Sequence, residues 1–267
     1  MDIILLIKAF VLGIVEGATE FLPISSTGHL IIAGDLLNFN DDKGKVFEIV
    51  IQLAAILAVC WEYRRKLSET VLHLANQSKA QHFVLNLLIA FLPAAILGLA
   101  FHSKIKAFLF SPLTVAIALI IGGFAILAIE QLPLKVQTNS TDSMTPKQAF
   151  QIGLAQSLAL IPGVSRAGAT ILGGMVFGLS RKTATEFSFF LAIPIMFAAT
   201  ILDVYKSWSM LSVNDIGMFT VGFVTAFISA LIAIKFLLRY VASHDFKVFA
   251  WYRIILGLVV LWYFHGI

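Results

Sequence analysis

Six stretches of this chain are long and apolar enough to cross a bilayer: Val46 to Trp61, Phe83 to Phe101, Leu113 to Ile129, Ala184 to Leu202, Ile216 to Leu238 and Val248 to Phe264. Inside hydrocarbon every backbone N–H and C=O must find its partner within the protein, so only helices and closed barrels can span. Runs of this length predict helices, and the expected fold is an all-α polytopic membrane protein. The composition agrees: 59% of the residues are hydrophobic and only 13% are charged, against about 25% charged in an ordinary soluble domain. The net charge of +4 falls mainly in the short breaks between spans, where it orients the chain in the membrane and gives no reason to expect a nucleic-acid partner. The sole cysteine, Cys60, rules out an intramolecular disulfide. With Asp2 ahead of the first apolar run and no basic leader, no cleaved signal peptide is expected.

Two further regions, Ile3 to Leu37 and Gln148 to Leu179, are apolar but interrupted midway by clusters of Pro, Gly and hydroxyl residues at Pro23 to Gly28 and Pro162 to Gly168. Such interruptions predict broken or re-entrant helical hairpins, because irregular backbone at membrane depth is stable only when buried in protein or lining a polar cavity. At an offset of about 140 positions Gly13 meets Gly153, Ser25 meets Ser165 and Gly28 meets Gly168. Each half is then one hairpin followed by three spans, which predicts an inverted-topology repeat within a single membrane domain over residues 1–267. The first repeat covers about 1–130, a polar linker about 131–147, and the second repeat about 148–267. Eleven Lys and Arg residues fall on one side of this arrangement and five on the other, so the richer side is expected in the cytoplasm and both termini outside it. The two hairpins would enter from opposite faces and meet near the midplane.

The chemistry is concentrated in Glu16-Gly-Ala-Thr-Glu20-Phe-Leu-Pro23-Ile-Ser25-Ser26-Thr27-Gly28-His29. Glu16 and Glu20 are one helical turn apart and share a face. Pro23 stops that helix, and Ser25, Ser26 and Thr27 are N-cap residues for a second one, whose N-terminus would favour a phosphate. An ionised carboxylate at membrane depth costs roughly 2.5–3.5 kcal/mol, so cationic company is expected, either a divalent ion or a proton-transfer partner. Oxygen ligands without cysteine favour Mg²⁺ or Ca²⁺ over zinc. His29, three positions after Ser26, can share its face and suits general acid–base or nucleophilic work. Arg166 sits in the second break, Pro162-Gly-Val-Ser165-Arg166-Ala-Gly168-Ala-Thr170, where its planar fork suits bidentate contact with phosphate. Ser25, Thr27, Ser165 and Thr170 complete the candidate phosphate-binding set, and Glu48, Gln52 and Glu186 are candidates to support it. Arg64-Arg65-Lys66 and Arg181-Lys182 are taken as topology charges, and the Gly13/Gly17 and Gly174/Gly178 pairs as points of close helix packing.

The two motifs, together with Phe47-Glu48-x-Val-x-Gln52-Leu and Glu186-Phe-Ser-Phe, resemble the signature sequences of the bacterial undecaprenyl-diphosphatase family associated with bacitracin resistance, and the resemblance covers the whole chain. It implies a metal-assisted enzyme of the bacterial plasma membrane that converts undecaprenyl diphosphate to the monophosphate for reuse as the lipid carrier of cell-wall synthesis. It implies important roles for Glu16, Glu20, Ser26, His29 and Arg166, and a site opening on the extracytoplasmic face. Ala167 stands where the family often has Ser, which puts in doubt any phosphate contact assigned to that position. Type-2 phosphatidic acid phosphatases have superficially similar motifs. This chain has Thr-Gly-His rather than Ser-Gly-His and no histidine soon after Arg166, so that family does not fit.

The sequence reading is therefore a hydrolase with Ser26 as first choice of nucleophile, His29 or Glu20 taking its proton, and His29 itself as the alternative nucleophile. A transporter of lipid phosphates or other anions is the rival, because inverted repeats with broken helices also build transporters. Self-association into a homo-oligomer is left open.

Overall fold

The apolar stretches fold as helices in a computed structural model that describes residues 3–39, 41–109, 111–207 and 215–265. In chain order the helices are α1 (Ile3–Thr19), α2 (Ser26–Leu36), α3 (Asp42–Glu62), α4 (Arg64–His73), α5 (Ser78–Leu109), α6 (Pro112–Gln131), α7 (Pro146–Ser157), α8 (Arg166–Val176), α9 (Arg181–Ser207), α10 (Ile216–Tyr240) and α11 (Lys247–His265). Among the described residues the only β-pairing is an isolated bridge between Thr138 and Leu179. Among the described residues six helices, α3, α5, α6, α9, α10 and α11, are long and apolar enough to cross a membrane. Their outward faces carry exposed apolar side chains such as Leu99, Ile232 and Trp262, as a surface solvated by lipid requires. The two termini, expected outside the cytoplasm, lie outside the described residues.

Both interrupted regions form helix pairs, α1–α2 and α7–α8, separated by non-helical turns. Ser26 to Arg166 and Leu36 to Val176 are each 140 positions, so α2 and α8 begin and end in register. The pairs exchange partners between halves: α1 packs on α10 of the second half, and α7 on α5 of the first. Helix α3 packs on both α10 and α9, and α6 packs on α11. A pseudo-two-fold relation between halves would produce this pattern. Small residues make the exchanged contacts possible, because a Cβ at Gly13 would strike Gly222 and Thr225 of α10, and one at Gly153 would strike the Ala90 backbone of α5.

The linker is a fastened strap. Gln137 and Thr138 N–H groups both donate to Gly178 O at 2.8 and 3.0 Å, and Ser180 N–H returns to Thr138 O at 3.0 Å. Thr145 and Gln148 form a reciprocal capping box that starts α7. Asp142 accepts from Lys66 and, at 2.9 Å, from Lys79. Burial alone would raise its pKa, but hydrogen bonds and charge from the two lysines outweigh that and hold it below the ordinary carboxylate value. Arg64, Arg65 and Lys66 open α4, a surface helix with no buried residue.

Candidate active site

The first break is a strained turn. Helix α1 ends at Thr19, before Pro23 can interfere, and the Thr19 hydroxyl folds back onto Val15 O at 2.6 Å. Glu20 N–H still reaches Glu16 O at 2.9 Å, which keeps the two carboxylates about one turn apart. Ser25 then takes φ 70°, a left-handed conformation costly for a non-glycine residue. Its side chain does not cap α2, contrary to the expectation from sequence. Instead its carbonyl accepts from His29 Nδ1 at 2.8 Å.

The second break turns differently. Val164 N–H closes on Ile161 O at 3.1 Å around Pro162-Gly163, with Gly163 at φ 91°, the Pro-Gly order that a type II turn requires. Ser165 does cap its helix, accepting from Gly168 N–H at 3.0 Å, and its hydroxyl also lies 3.3 Å from Leu22 O in the first break. The two interruptions are therefore in direct contact.

Glu20 is the meeting point. Its Oε2 accepts from the Ser26 hydroxyl at 2.5 Å, and its Oε1 accepts from Arg166 Nη2 at 3.0 Å. Arg166 is further held by Nη1 donating to Ser188 O at 3.1 Å and by the face of Phe21, 5.5 Å away. Its Nε is buried without a partner, and so is Oε2 of Glu16. A donor and an acceptor left unbonded in one buried region are places for a ligand, since burying such groups unpaired costs about 1–3 kcal/mol each. Among the described residues no group of three or more His, Cys, Asp or Glu could by itself cage a metal. Glu16 with Glu20 does fit the alternative, an ion of the Mg²⁺ type held by one or two carboxylates and completed by phosphate oxygens.

The expected site residues lie at different depths. Ser26, Thr27 and His29 are half-buried on the first turn of α2. Ser25, Ser165 and Thr170 are buried, and the Thr170 hydroxyl is engaged by Arg166 O at 2.9 Å and Ser188 Oγ at 2.6 Å. Glu48 stands exposed on α3 and Glu186 half-buried on α9. His29 does not bond Ser26 as their spacing suggested. With Nδ1 on the Ser25 carbonyl, its Nε2 meets the Tyr252 hydroxyl at 2.7 Å. A carbonyl can only accept, so Nδ1 carries the proton and Nε2 accepts from Tyr252 in the neutral ring.

Tyr252 and its neighbour Arg253 were missed by sequence reasoning, although an arginine inside an apolar span is itself a functional signal. Tyr252→Phe is expected to lower turnover only about two- to tenfold, the scale of one neutral hydrogen bond. Unchanged steady-state kinetics would show that the tyrosine contact does not matter.

A family model described as bacitracin resistance protein BacA matches residues 9–259. A relative from Methylobacillus flagellatus is 65% identical over 99% of this chain and 100% of its own length. One from Nitrosospira multiformis is 63% identical over 98% of this chain and 96% of its own, and one from Cupriavidus metallidurans is 54% identical over the same shares. Each of the three carries the name undecaprenyl-diphosphatase.

Proposed function

The chain belongs to the bacitracin resistance protein BacA family, and from that premise we propose that it is a multi-pass membrane hydrolase acting on undecaprenyl diphosphate. It removes the terminal phosphate and returns undecaprenyl phosphate. The observation that carries this reading is Glu20, with a serine hydroxyl on one oxygen and a guanidinium on the other. A hydroxyl held by a carboxylate beside a phosphate-binding cation supplies nucleophile, base and clamp.

Ser26 Oγ attacks the terminal phosphorus in line while Glu20 accepts its proton. The bond from that phosphorus to the bridging oxygen breaks, and the electron pair leaves with the lipid monophosphate. The proton on Glu20 passes to the departing oxygen, which frees the carboxylate to take a proton from a water. That water's oxygen bonds to phosphorus, the bond from phosphorus to Ser26 Oγ breaks, and Glu20 returns the proton to Ser26 Oγ as inorganic phosphate leaves. Arg166 brings its unbonded Nε to a phosphate oxygen, and the N-termini of α2 and α8 add oriented dipoles. His29 is tied at both ring nitrogens, which supports a role in holding the start of α2 and favours Ser26 over it as nucleophile.

Glu16 and Glu20 are the residues that would hold Mg²⁺ or Ca²⁺, and the ion when bound would offset diphosphate charge. Phosphate release from a polyprenyl diphosphate is expected to depend on the added ion. Glu16→Gln should raise the concentration needed for half-maximal activity roughly tenfold or more. A variant titrating like the wild type would remove Glu16 from the ligand set. The same reading has the protein in the bacterial plasma membrane with its site open to the extracytoplasmic face, supported by the side on which a relative of this family would meet spent carrier.

A further inference from the structure

Arg253 lies in the second turn of α11, 2% exposed, and its guanidinium donates to four backbone carbonyls. Nε and Nη2 reach Leu119 O and Ala118 O on α6 at 3.4 and 3.1 Å. Nη1 reaches Pro23 O at 3.2 Å, and Nη2 also reaches Gly163 O at 3.1 Å. Pro23 belongs to the first break and Gly163 to the second, both in turns where carbonyls lack helical partners. The space is made by a glycine, since a methyl group at Gly122 would overlap the guanidinium. One side chain thus bridges the two halves at the level of their interruptions, with α6 as its anchor.

We propose that Arg253 is a positioning residue for the phosphatase reaction, clasping the turn that carries Glu20 and Ser26 to the turn that precedes Arg166. This rests on the function proposed above. Among the described residues the breaks are also joined by the Glu20–Arg166 ion pair, by the Arg166 guanidinium over the Phe21 ring and by the Ser165 hydroxyl on Leu22 O. The ion pair consists of site groups that must rearrange around a substrate phosphate. The bonds of Arg253 go only to backbone, so they hold the two turns in register through the whole cycle. Only a planar fork can do this, because a lysine ammonium is a single point and cannot reach carbonyls on three elements at once. In-line attack needs the serine oxygen and the clamped phosphorus aligned, and a misplacement of about 1 Å costs on the order of 100-fold in rate.

The test uses the purified full chain in detergent with a polyprenyl diphosphate, measuring kcat, KM and melting temperature for wild type, Arg253→Lys and Gly122→Ala. Arg253→Lys is expected to lose about 100-fold in kcat per folded molecule, with KM within about threefold of wild type. Gly122→Ala keeps the arginine but displaces its guanidinium, in a helix whose propensity the alanine improves, and should lower kcat in the same way. A purely structural role predicts the reverse pattern, a lower melting temperature with unchanged kcat in the protein that remains folded, and that result would overturn the proposal. Should Arg253→Lys fail to fold, Gly122→Ala decides alone, and a wild-type kcat there rejects the clasp. Wild type that releases no phosphate would reject the hydrolase reading together with this one, whereas active wild type matched by both variants rejects only the role of Arg253.

Discussion

Arg166→Lys should lose at least about 100-fold in kcat/KM although the charge is kept, the cost of removing one preorganised donor at a site of developing charge. The guanidinium does three things at separate points: Nη2 holds Glu20, Nη1 holds Ser188 O, and Nε remains buried and unbonded. An ammonium in its place could neutralise Glu20 but would abandon the Ser188 carbonyl and leave no donor at the position of Nε to meet a phosphate oxygen. Because Glu20 also receives the Ser26 hydroxyl, a shifted cation would disturb the nucleophile as well as the clamp, so kcat should fall alongside weaker substrate binding. Near-normal turnover by folded Arg166→Lys would show that a point charge is enough and that the fork geometry is incidental.

Ser26→Ala is expected to have the larger effect on turnover, a fall on the order of 1000-fold or more with diphosphate binding nearly unchanged. It removes one hydroxyl and spares Arg166, Glu16 and both helix N-termini. Glu20 Oε2 loses its partner, so some loss of stability is expected, about 1–3 kcal/mol for a buried acceptor left unpaired. Lipid binding measured beside phosphate release separates the two consequences. Equal turnover by Ser26→Ala and wild type would keep the hydrolase but move the attack to His29 or to water.

The spans and both interruptions were legible because each rests on a local rule. Long apolar runs must be helical in lipid, and Pro23 and Pro162-Gly163 must interrupt them. Register between the halves was legible at Gly13 and Gly153, where close packing admits no side chain. What stayed hidden depends on direction rather than spacing. Ser26 and His29 are three apart on a helix and were expected to act together. The left-handed turn at Ser25 instead aims the serine at Glu20, while His29 reaches sideways to Tyr252 on a helix more than 220 positions away. Ser25 and Ser165 occupy equivalent positions, yet only Ser165 caps its helix, because its φ is negative (−57°, with ψ 124°) where that of Ser25 is +70°. Arg253 was overlooked because the apolar run around it remains long enough to span, and its partners are carbonyls that no sequence pattern marks.

Phosphate release in detergent by the wild-type chain tests the central claim most directly, because without a sealed membrane a transporter has nothing to do. Purified protein mixed with undecaprenyl diphosphate and Mg²⁺ or Ca²⁺ should release one phosphate per lipid and leave the lipid monophosphate, at a rate that Ser26→Ala does not approach. Folded wild-type protein that binds the diphosphate lipid and releases no phosphate would contradict the account and favour a carrier of lipid phosphates.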